Sequence, residues 1–209
     1  MRLTLASGSP QRCAILEQVG IAFDVRVSGV DEETDGDPVA VAEENARRKA
    51  LAVAGGAAAA AGGGAAAGGG AAASPDSGDG APRLVLGADT LVAVDGDILG
   101  KPADAEQARN YVARLAGRTH EVVGSIAVVR DGELSSTATV TTQVHFRAAS
   151  PALLDWYVET GEWQGRAGGY AIQGAGAVLV AGIEGDYLNV VGLPLARLLD
   201  LVPELLPTR

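Results

Sequence analysis

Cysteine is almost absent from this chain of 209 residues, in which Cys13 stands alone. A single cysteine excludes an intramolecular disulfide and a cysteine-rich zinc site, and it fits a reducing compartment. The two histidines, His120 and His145, lack the spacing of metal ligands, so we assign both to strands. The absence of a Gly-x-x-x-x-Gly-Lys-Ser/Thr sequence excludes a Walker phosphate loop.

Long hydrophobic runs and excess positive charge are missing as well. No apolar run approaches the ~20 residues of a membrane span, and no signal peptide is expected, so we predict a cytoplasmic protein without a membrane partner. The formal net charge of −10 provides no bulk attraction to a nucleic acid polymer. Any anion site must be a local basic pocket, which fits a single nucleotide better than a polymer.

Residues 55–82 form a low-complexity segment rich in alanine and glycine. Such a segment has no large side chain to bury, so burial cannot offset the entropy cost of ordering it. We therefore expect a flexible insertion that carries no chemistry. We expect residues 1–209 to form a single domain around this insertion.

The other segments alternate between strand and helix patterns. Apolar runs predict strands at 3–6, 23–27, 84–94, 120–130, 134–146 and 177–183. Helical patterns with capping residues span 10–19, 38–54, 105–115, 151–159 and 193–201. Turn sequences at 95–97 and 131–133 indicate hairpins and hence antiparallel pairing. The order predicts an α/β or α+β domain with a mixed sheet.

The first predicted strand runs into the turn Ser7-Gly8-Ser9-Pro10, which opens the first helix. Ser9 suits the N-cap, and Pro10 suits the first helical position, where a missing N–H costs nothing. The free N–H groups and the positive dipole end of such a helix attract anions, most often phosphate. Arg12 adds a permanent charge one turn later. The alternative is an ordinary strand–turn–helix opening without a ligand.

Asp89 interrupts an otherwise apolar strand. A buried carboxylate is costly without a partner, so Asp89 is either a paired structural residue or a metal ligand or general base. Four further polar residues lie near turns or on a helix face, and each alone could be a solvated charge or a satisfied loop group: Glu32, Lys49, Lys101 and Gln173.

Eight motifs follow one another along nearly the whole chain: Leu5-Ala-Ser-Gly-Ser-Pro10, Val30-Asp-Glu32, Asn45-Ala-Arg-Arg-Lys-Ala50, Gly87-Ala-Asp-Thr90, Gly100-Lys-Pro102, Leu115-Ala-Gly-Arg-Thr-His120, Ala167-Gly-Gly-Tyr-Ala-Ile-Gln-Gly174 and Gly185-Asp-Tyr-Leu-Asn-Val-Val-Gly-Leu-Pro194. In this order they resemble the Maf family of nucleoside triphosphate pyrophosphatases. The resemblance implies hydrolysis between the α and β phosphates, which yields a nucleoside monophosphate and pyrophosphate. It leaves only the Ala/Gly segment outside the pattern.

The resemblance also implies roles for individual residues. Asp89 would accept a proton from water, and Glu32 with Asp89 would hold Mg²⁺ or Mn²⁺, hard ions that prefer oxygen ligands. The triphosphate would be held by Ser7, Arg12, Lys49 and Lys101. Thr90 and Gln173 match positions that select the base, and their sequence context resembles the branch that acts on dTTP, UTP and modified pyrimidine nucleotides.

Gln11 departs from the pattern of this branch, which is Ser-Pro-Arg-Arg where this chain has Ser9-Pro10-Gln11-Arg12. The replaced arginine is a position of substrate selectivity, and glutamine brings hydrogen bonds without charge. Two alternatives to a dTTP/UTP enzyme therefore stay open. One is a nucleotide-binding regulator of septum formation with little catalysis, and the other is a pyrophosphatase directed to purine or inosine nucleotides.

The resemblance further implies an elongated fold of two lobes with the active site in the cleft between them. It implies a homodimer that removes noncanonical nucleotides from the pool, with a link to arrested cell division.

Overall fold

A computed structural model of the protein describes residues 2–60 and 83–206. Within these ranges the chain forms a mixed sheet of seven strands: β1 (Arg2–Leu5), β2 (Phe23–Val25), β3 (Arg83–Val94), β4 (Asp97–Leu99), β5 (Thr119–Arg130), β6 (Glu133–Phe146) and β7 (Val180–Glu184). Helices flank it: α1 (Pro10–Gln18), α2 (Pro38–Ala60), α3 (Ala105–Leu115), α4 (Pro151–Glu159), α5 (Tyr187–Val191) and α6 (Leu195–Leu201).

The strand pairing changes from parallel to antiparallel at β3. The strand order is β2-β1-β3-β5-β6-β7, with β4 paired to the far end of β3. Strand β1 pairs in parallel with both β2 and β3, whereas β3, β5, β6 and β7 pair antiparallel in succession. Strand β3 is buried along almost its whole length, because helices cover it and neighbouring strands pair with it on both sides.

Two hydrophobic cores stabilise opposite ends of this sheet. The first joins β1, α1 and α6 through residues such as Leu5, Leu16 and Leu198. The second joins α3 and α4 to the other end of the sheet, with Val112 and Tyr157 fully buried. Strands β3 and β5 contribute residues to both cores. The sheet therefore runs continuously through the two lobes that these cores define.

Helix α2 lies unusually close to β3 because Gly87 has no side chain. A Cβ at that position would overlap the carbonyl oxygen of Ala46 and would come within 2.7 Å of the backbone nitrogen of Ala50. The close approach brings the buried face of α2, including Asn45 and Lys49, against the middle of β3. This packing fixes the distance between α2 side chains and those of β3.

Most predicted elements are confirmed, with two errors near the end of the chain. The strand predicted at 177–183 is wrong in its first half, because 3-10 helix spans Ala175–Leu179 and β7 begins at Val180. The helix predicted at 193–201 is confirmed as α6, but the prediction missed the short helix α5 before it, which is capped by Gly192 with a φ of 141°. Pro194 then caps α6.

The predicted insertion at 55–82 falls mainly outside the described residues. Residues 55–60 complete α2, which therefore runs beyond the predicted end near residue 54, and residues 61–82 lie outside the described ranges. In the described part of the chain, no helix is long and apolar enough to cross a membrane.

Candidate active site

A cleft of about 480 Å³ opens between the two cores, over the middle of β3. Its walls come from the loop after β1, the loop after β2, helix α2, strand β3, the loop after β4 and the segment before β7. All nine residues that the sequence singled out line it: Ser7, Gln11, Arg12, Glu32, Lys49, Asp89, Thr90, Lys101 and Gln173. Residues up to 166 positions apart in the sequence, from Ser7 to Gln173, thus meet in one place.

A chain of alternating charges forms one wall of the cleft. The ammonium nitrogen of Lys49 lies 2.6 Å from Oδ1 of Asp89 and 2.6 Å from Oε1 of Glu32. The other carboxylate oxygen of Glu32 accepts a hydrogen bond of 3.1 Å from Lys101. Lys49 and Asp89 are both buried, whereas the Lys101 side chain is 57% exposed. The buried carboxylate is therefore fully compensated, as its location requires.

Local structure explains how Asp89 meets its partners. Gly87 and Asp89 lie on the same face of β3, because side chains alternate along a strand. Asn45 and Lys49 lie one turn apart on α2 and share one face of that helix. Since Gly87 lets α2 approach, Asn45 donates a 3.0 Å hydrogen bond to Oδ2 of Asp89 while Lys49 reaches Oδ1.

Asn45 also holds the loop that carries Glu32. Its side-chain oxygen accepts from the backbone N–H of Glu33 at 2.8 Å, and its amide nitrogen donates to the backbone oxygen of Glu33 at 2.9 Å. Arg48, on the same helix, donates to the Glu33 carboxylate at 3.0 Å. These bonds fix the position of Glu32 next to Lys49, although the loop itself is irregular.

Lysine contacts dominate the electrostatics of Glu32. Partial burial alone would raise its pKa, but the hydrogen bond and charge of Lys49, followed by the charge and hydrogen bond of Lys101, outweigh it. The pKa of Glu32 is lowered to about 2. Glu32 is consequently a carboxylate throughout the neutral pH range.

Arg12 is buried at the opposite wall and contacts three neutral oxygens. Its guanidinium donates to Oγ of Ser7 at 2.8 Å, to Oγ1 of Thr90 at 3.1 Å and to the backbone oxygen of Gly192 at 2.9 Å. Burial lowers its pKa from the usual value, and the charges of Asp89 and Glu32 partly offset that effect. Arg12 therefore contributes a buried positive charge that no carboxylate of the described residues touches directly.

The carbonyl of Gly192 is aimed at Arg12 by the short helix α5. Asp186 caps this helix, with Oδ1 accepting from the N–H groups of Leu188 and Asn189. The fully buried Asn189 donates to the backbone oxygens of Val122 and Val140, which ties α5 to β5 and β6. The segment 185–194 is thus fixed against β5 and β6, and this fixes the position of the Gly192 carbonyl.

Comparison with known proteins identifies the family to which this arrangement belongs. Residues 2–205 match the family model described as Maf-like protein. The chain belongs to the Maf family. The match extends across the whole described sheet and every residue of the cleft, so the resemblance inferred from eight short motifs is confirmed.

Relatives of this Maf-like chain match it over nearly their full length. A dTTP/UTP pyrophosphatase of Symbiobacterium thermophilum is 43% identical, covering 97% of this chain and 93% of the relative. Proteins of the same name from Anaeromyxobacter sp. and Pyrococcus furiosus are 42% and 38% identical, covering 96% of this chain and 88% and 94% of their own.

One solved structure, a nucleoside-triphosphatase / dITP/XTP pyrophosphatase from Mycobacterium abscessus, is 17% identical. It covers 70% of this chain and 74% of its own, with a TM-score of 0.40. The fold of this Maf-like chain is therefore assigned from its own topology: a mixed α/β sheet with flanking helices.

One detail of the Maf-like site differs from expectation, and a second adds to it. Ser9 occupies the N-cap of α1 as predicted, but its side chain caps no backbone N–H; its hydroxyl donates to Oε1 of Gln11 at 3.1 Å instead. Glu32 and Asp89, the predicted metal ligands, both contact Lys49. Within residues 2–60 and 83–206, no group of three acidic, histidine or cysteine residues gathers as a metal site.

Several residues of the Maf-like cleft were missed by sequence reasoning. Asn45 was quoted only as part of a motif, yet it contacts both Asp89 and the Glu33 backbone. Arg166 and Tyr170 also line the cleft. The signal for Asn45 was its i,i+4 spacing to Lys49, and the signal for Arg166 was its position in a glycine-rich loop. Nothing local marked Gly192, whose role is a backbone carbonyl.

Proposed function

We propose that this Maf-like protein is a nucleoside triphosphate pyrophosphatase that hydrolyses the α–β phosphoanhydride bond of dTTP and UTP. The observation that carries the proposal is Asp89, a buried carboxylate held by Lys49 and Asn45 at the floor of a cleft with cationic walls. The names of relatives up to 43% identical agree with it. Modified pyrimidine triphosphates would be substrates of the same site.

Asp89 would take the proton of the attacking water. The water oxygen bonds to phosphorus as the bridging phosphorus–oxygen bond between the α and β phosphates breaks, and pyrophosphate leaves with the electron pair. Lys49 and Asn45 orient the Asp89 carboxylate through its two oxygens, and each oxygen keeps a lone pair that could accept a proton in the cleft. A positioned base of this kind accelerates hydrolysis by about 10²–10⁴-fold.

Cationic and hydroxyl groups on both walls would hold the triphosphate. Lys49 and Lys101 lie on the Asp89 side, and Arg12 with Ser7 lies on the other. Because the cleft excludes part of the solvent, these charges act at closer to protein than to water dielectric. The base-contacting residues would be Gln11, Thr90 and Gln173, which line the same cleft.

Glu32 and Asp89 are the residues that would hold a divalent cation, Mg²⁺ or Mn²⁺. Two carboxylates fit Mg²⁺, which commonly takes one or two protein carboxylates and completes its shell with water and substrate phosphates. Each carboxylate oxygen keeps a free lone pair beside its bond to a lysine or Asn45. When bound, the cation would neutralise charge that develops on the phosphate oxygens.

Pyrophosphate release from a panel of triphosphates tests the proposal. The panel holds dTTP, UTP, CTP, GTP, ITP, 7-methyl-GTP and modified pyrimidine triphosphates, each with Mg²⁺ or Mn²⁺. We expect dTTP and UTP to be hydrolysed with the highest kcat/KM and equal yields of monophosphate and pyrophosphate. A purine preference would mean that Gln11 has redirected specificity, and nucleotide binding without turnover would favour a regulator of septum formation.

Further properties are proposed from the family. We propose that the protein is a cytoplasmic homodimer that removes noncanonical nucleotides from the pool and that is linked to arrested cell division. Trp156, which is 46% exposed on α4, is a candidate dimer contact that light scattering of a Trp156→Ser variant would test.

We also propose one domain in which 55–82 is an insertion. Helix α2 and strand β3, which flank the undescribed residues 61–82, pack against each other at Gly87 and Ala50. Removal of residues 61–82 should therefore preserve turnover.

A further inference from the structure

The charges of the cleft do not contribute equally to anion binding. Lys49 and Lys101 carry two positive charges, and Glu32 and Asp89 carry two negative charges that contact them directly. This group of four is neutral as a whole. The net positive charge of the cleft therefore comes from two arginines, Arg12 and Arg166, whose guanidinium groups touch no carboxylate in the described part of the chain.

Arg12 has few donors left for a ligand. Three of its N–H directions are already used by Ser7, Thr90 and the Gly192 carbonyl. A guanidinium has five N–H donors, so two remain. Arg12 is thus a fixed charge embedded in the wall, suited to one phosphate oxygen rather than to a fork around a whole phosphate.

Arg166 is in the opposite situation. Its Nε is buried and has no hydrogen-bond partner among residues 2–60 and 83–206. The residue lines the cleft and is only partly exposed, so an unsatisfied charged donor is retained there at a cost. The buried Nε itself is closed to a ligand, but the guanidinium charge has no carboxylate partner in the described residues, and an oxyanion in the cleft would compensate it.

Backbone contacts fix Arg166 next to the lysine wall. The N–H of Gly168 donates to the backbone oxygen of Gly100 at 3.1 Å, which joins the Arg166 loop to the residue before Lys101. The N–H groups of Arg166 and Gly169 bond to Trp163 and to the Arg166 carbonyl, closing two tight turns around the residue. The backbone of Arg166 is therefore held in place by hydrogen bonds within its loop and by the bond between that loop and Gly100.

We propose that Arg166 is a further substrate-binding residue, which grips the phosphates that leave as pyrophosphate. The proposal rests on the proposed pyrophosphatase function and assigns to its cleft the guanidinium fork that Arg12 does not supply. Pyrophosphate carries more charge and more oxygens than the monophosphate product, so a bidentate arginine favours it. Loss of Arg166 should weaken pyrophosphate and triphosphate binding far more than monophosphate binding.

The test uses Arg166→Gln and Arg166→Lys in the full chain. Calorimetry measures Kd for pyrophosphate, for UMP and for a UTP analogue with a non-hydrolysable α–β bridge, each with Mg²⁺. We expect Arg166→Gln to raise Kd for pyrophosphate and the analogue by about 10- to 100-fold and Kd for UMP by less than about threefold. Arg166→Lys should fall between, since it keeps the charge and loses the fork.

Arg197→Gln is the matched control, because Arg197 lies on α6 outside the cleft and is 50% exposed. It should leave all three constants unchanged. Unaltered pyrophosphate binding in Arg166→Gln would overturn the proposal, and so would an equal loss for UMP or a change in base preference alone. Turnover of UTP by the wild-type protein is measured in parallel, so failure of the pyrophosphatase function would be seen separately.

Discussion

Lys49 and Asp89 form a buried ion pair in which 2.6 Å separates the ammonium nitrogen from Oδ1. The pair joins helix α2 to strand β3, and both side chains are at most 7% exposed. Glu32 meets the same nitrogen from the solvent side. One lysine thus compensates a buried carboxylate and links it to an exposed one, so it is part of both the fold and the site.

Removal of Lys49 should destabilise the protein strongly. Lys49→Met leaves Asp89 as an uncompensated buried charge, which costs about 3–5 kcal/mol of unfolding free energy. The double variant Lys49→Met/Asp89→Asn should recover at least about 2 kcal/mol of that loss, because the unpaired charge is gone. Urea unfolding of the wild type, both single variants and the double variant measures this coupling. Additive losses would contradict the pairing.

Gly87→Ala should disturb the site through the backbone. The new Cβ would overlap Ala46 and crowd Ala50 on α2, so the helix must shift away from β3. We expect a loss of about 2–4 kcal/mol in unfolding free energy and a lower kcat, since Asn45 and Lys49 move with the helix.

Gly55→Ala is the control for that substitution, because nothing lies within 4 Å of a Cβ at residue 55 of α2. It should stabilise the helix by about 0.5–1 kcal/mol and leave kcat unchanged. Equal effects at the two glycines would show that close packing at Gly87 is not what positions the helix.

Asp89 and Lys49 show which features of the site could be predicted from the sequence. The pattern predicted α2 and β3 correctly, because periodicity is a local signal. A charge inside an apolar run is another local signal, and it singled out Asp89, which the structure places buried, paired and in the cleft. Taken by itself, Lys49 was predicted to be a charge on an exposed helix face, whereas it is 6% exposed. Its burial depends on Gly87, 38 residues away, which no local pattern reports. Only the family resemblance brought Lys49 and Asp89 together.

The end of the chain was harder to predict for a similar reason. Gly192 matters through its backbone oxygen, which accepts from Arg12. A backbone carbonyl cannot be recognised from the pattern of side chains. Helix α5 is only five residues long, which is too short to give a clear periodic pattern. Tertiary contacts from Asn189 stabilise that helix, so its formation could not be inferred from propensity.

Gln11→Arg should strengthen substrate binding by adding a positive charge to the wall of the cleft. Gln11 lines the cleft beside Arg12, and its side-chain oxygen accepts from Ser9. One added charge–phosphate hydrogen bond should lower KM for UTP by about 5- to 15-fold at low salt, with a smaller gain at high salt. Steady-state kinetics at two ionic strengths measures it.

Gln18→Arg makes the same change at the exposed end of helix α1, outside the cleft. This control should leave KM for UTP within about twofold, because screening weakens a distant surface charge. If both variants lowered KM equally, overall charge rather than position would explain the effect.

Stability should fall as the pH drops below 6.5, through His120. This side chain is 2% exposed and its Nε2 lies 2.8 Å from the hydroxyl of Tyr170. Burial, followed by the charge of His145, lowers the pKa of His120 from 6.5 to about 4. The unfolded chain therefore binds a proton that the folded chain does not, and unfolding free energy is lost between pH 6.5 and about 4.

The full loss amounts to about 3 kcal/mol. Urea unfolding from pH 6.5 down to 5 covers about half of it, and in this range Glu32 is ionised in the folded chain and still mostly ionised in the unfolded chain. His120→Gln should flatten this dependence, whereas His145→Gln, at a more exposed site on β6, should keep it. A slope that survives in His120→Gln would assign the dependence to other groups.

Asp89→Asn tests the central claim most directly, because it removes the proposed base while preserving the size of the side chain. Pyrophosphate release from UTP and binding of a non-hydrolysable UTP analogue are measured on the same preparations. We predict that kcat falls by about 10²–10⁴-fold. The analogue, measured without added Mg²⁺ so that loss of a metal ligand does not enter, should bind as tightly as to the wild type or tighter, since a negative charge is lost. Turnover within a few-fold of wild type would contradict Asp89 as the base and with it the proposed mechanism.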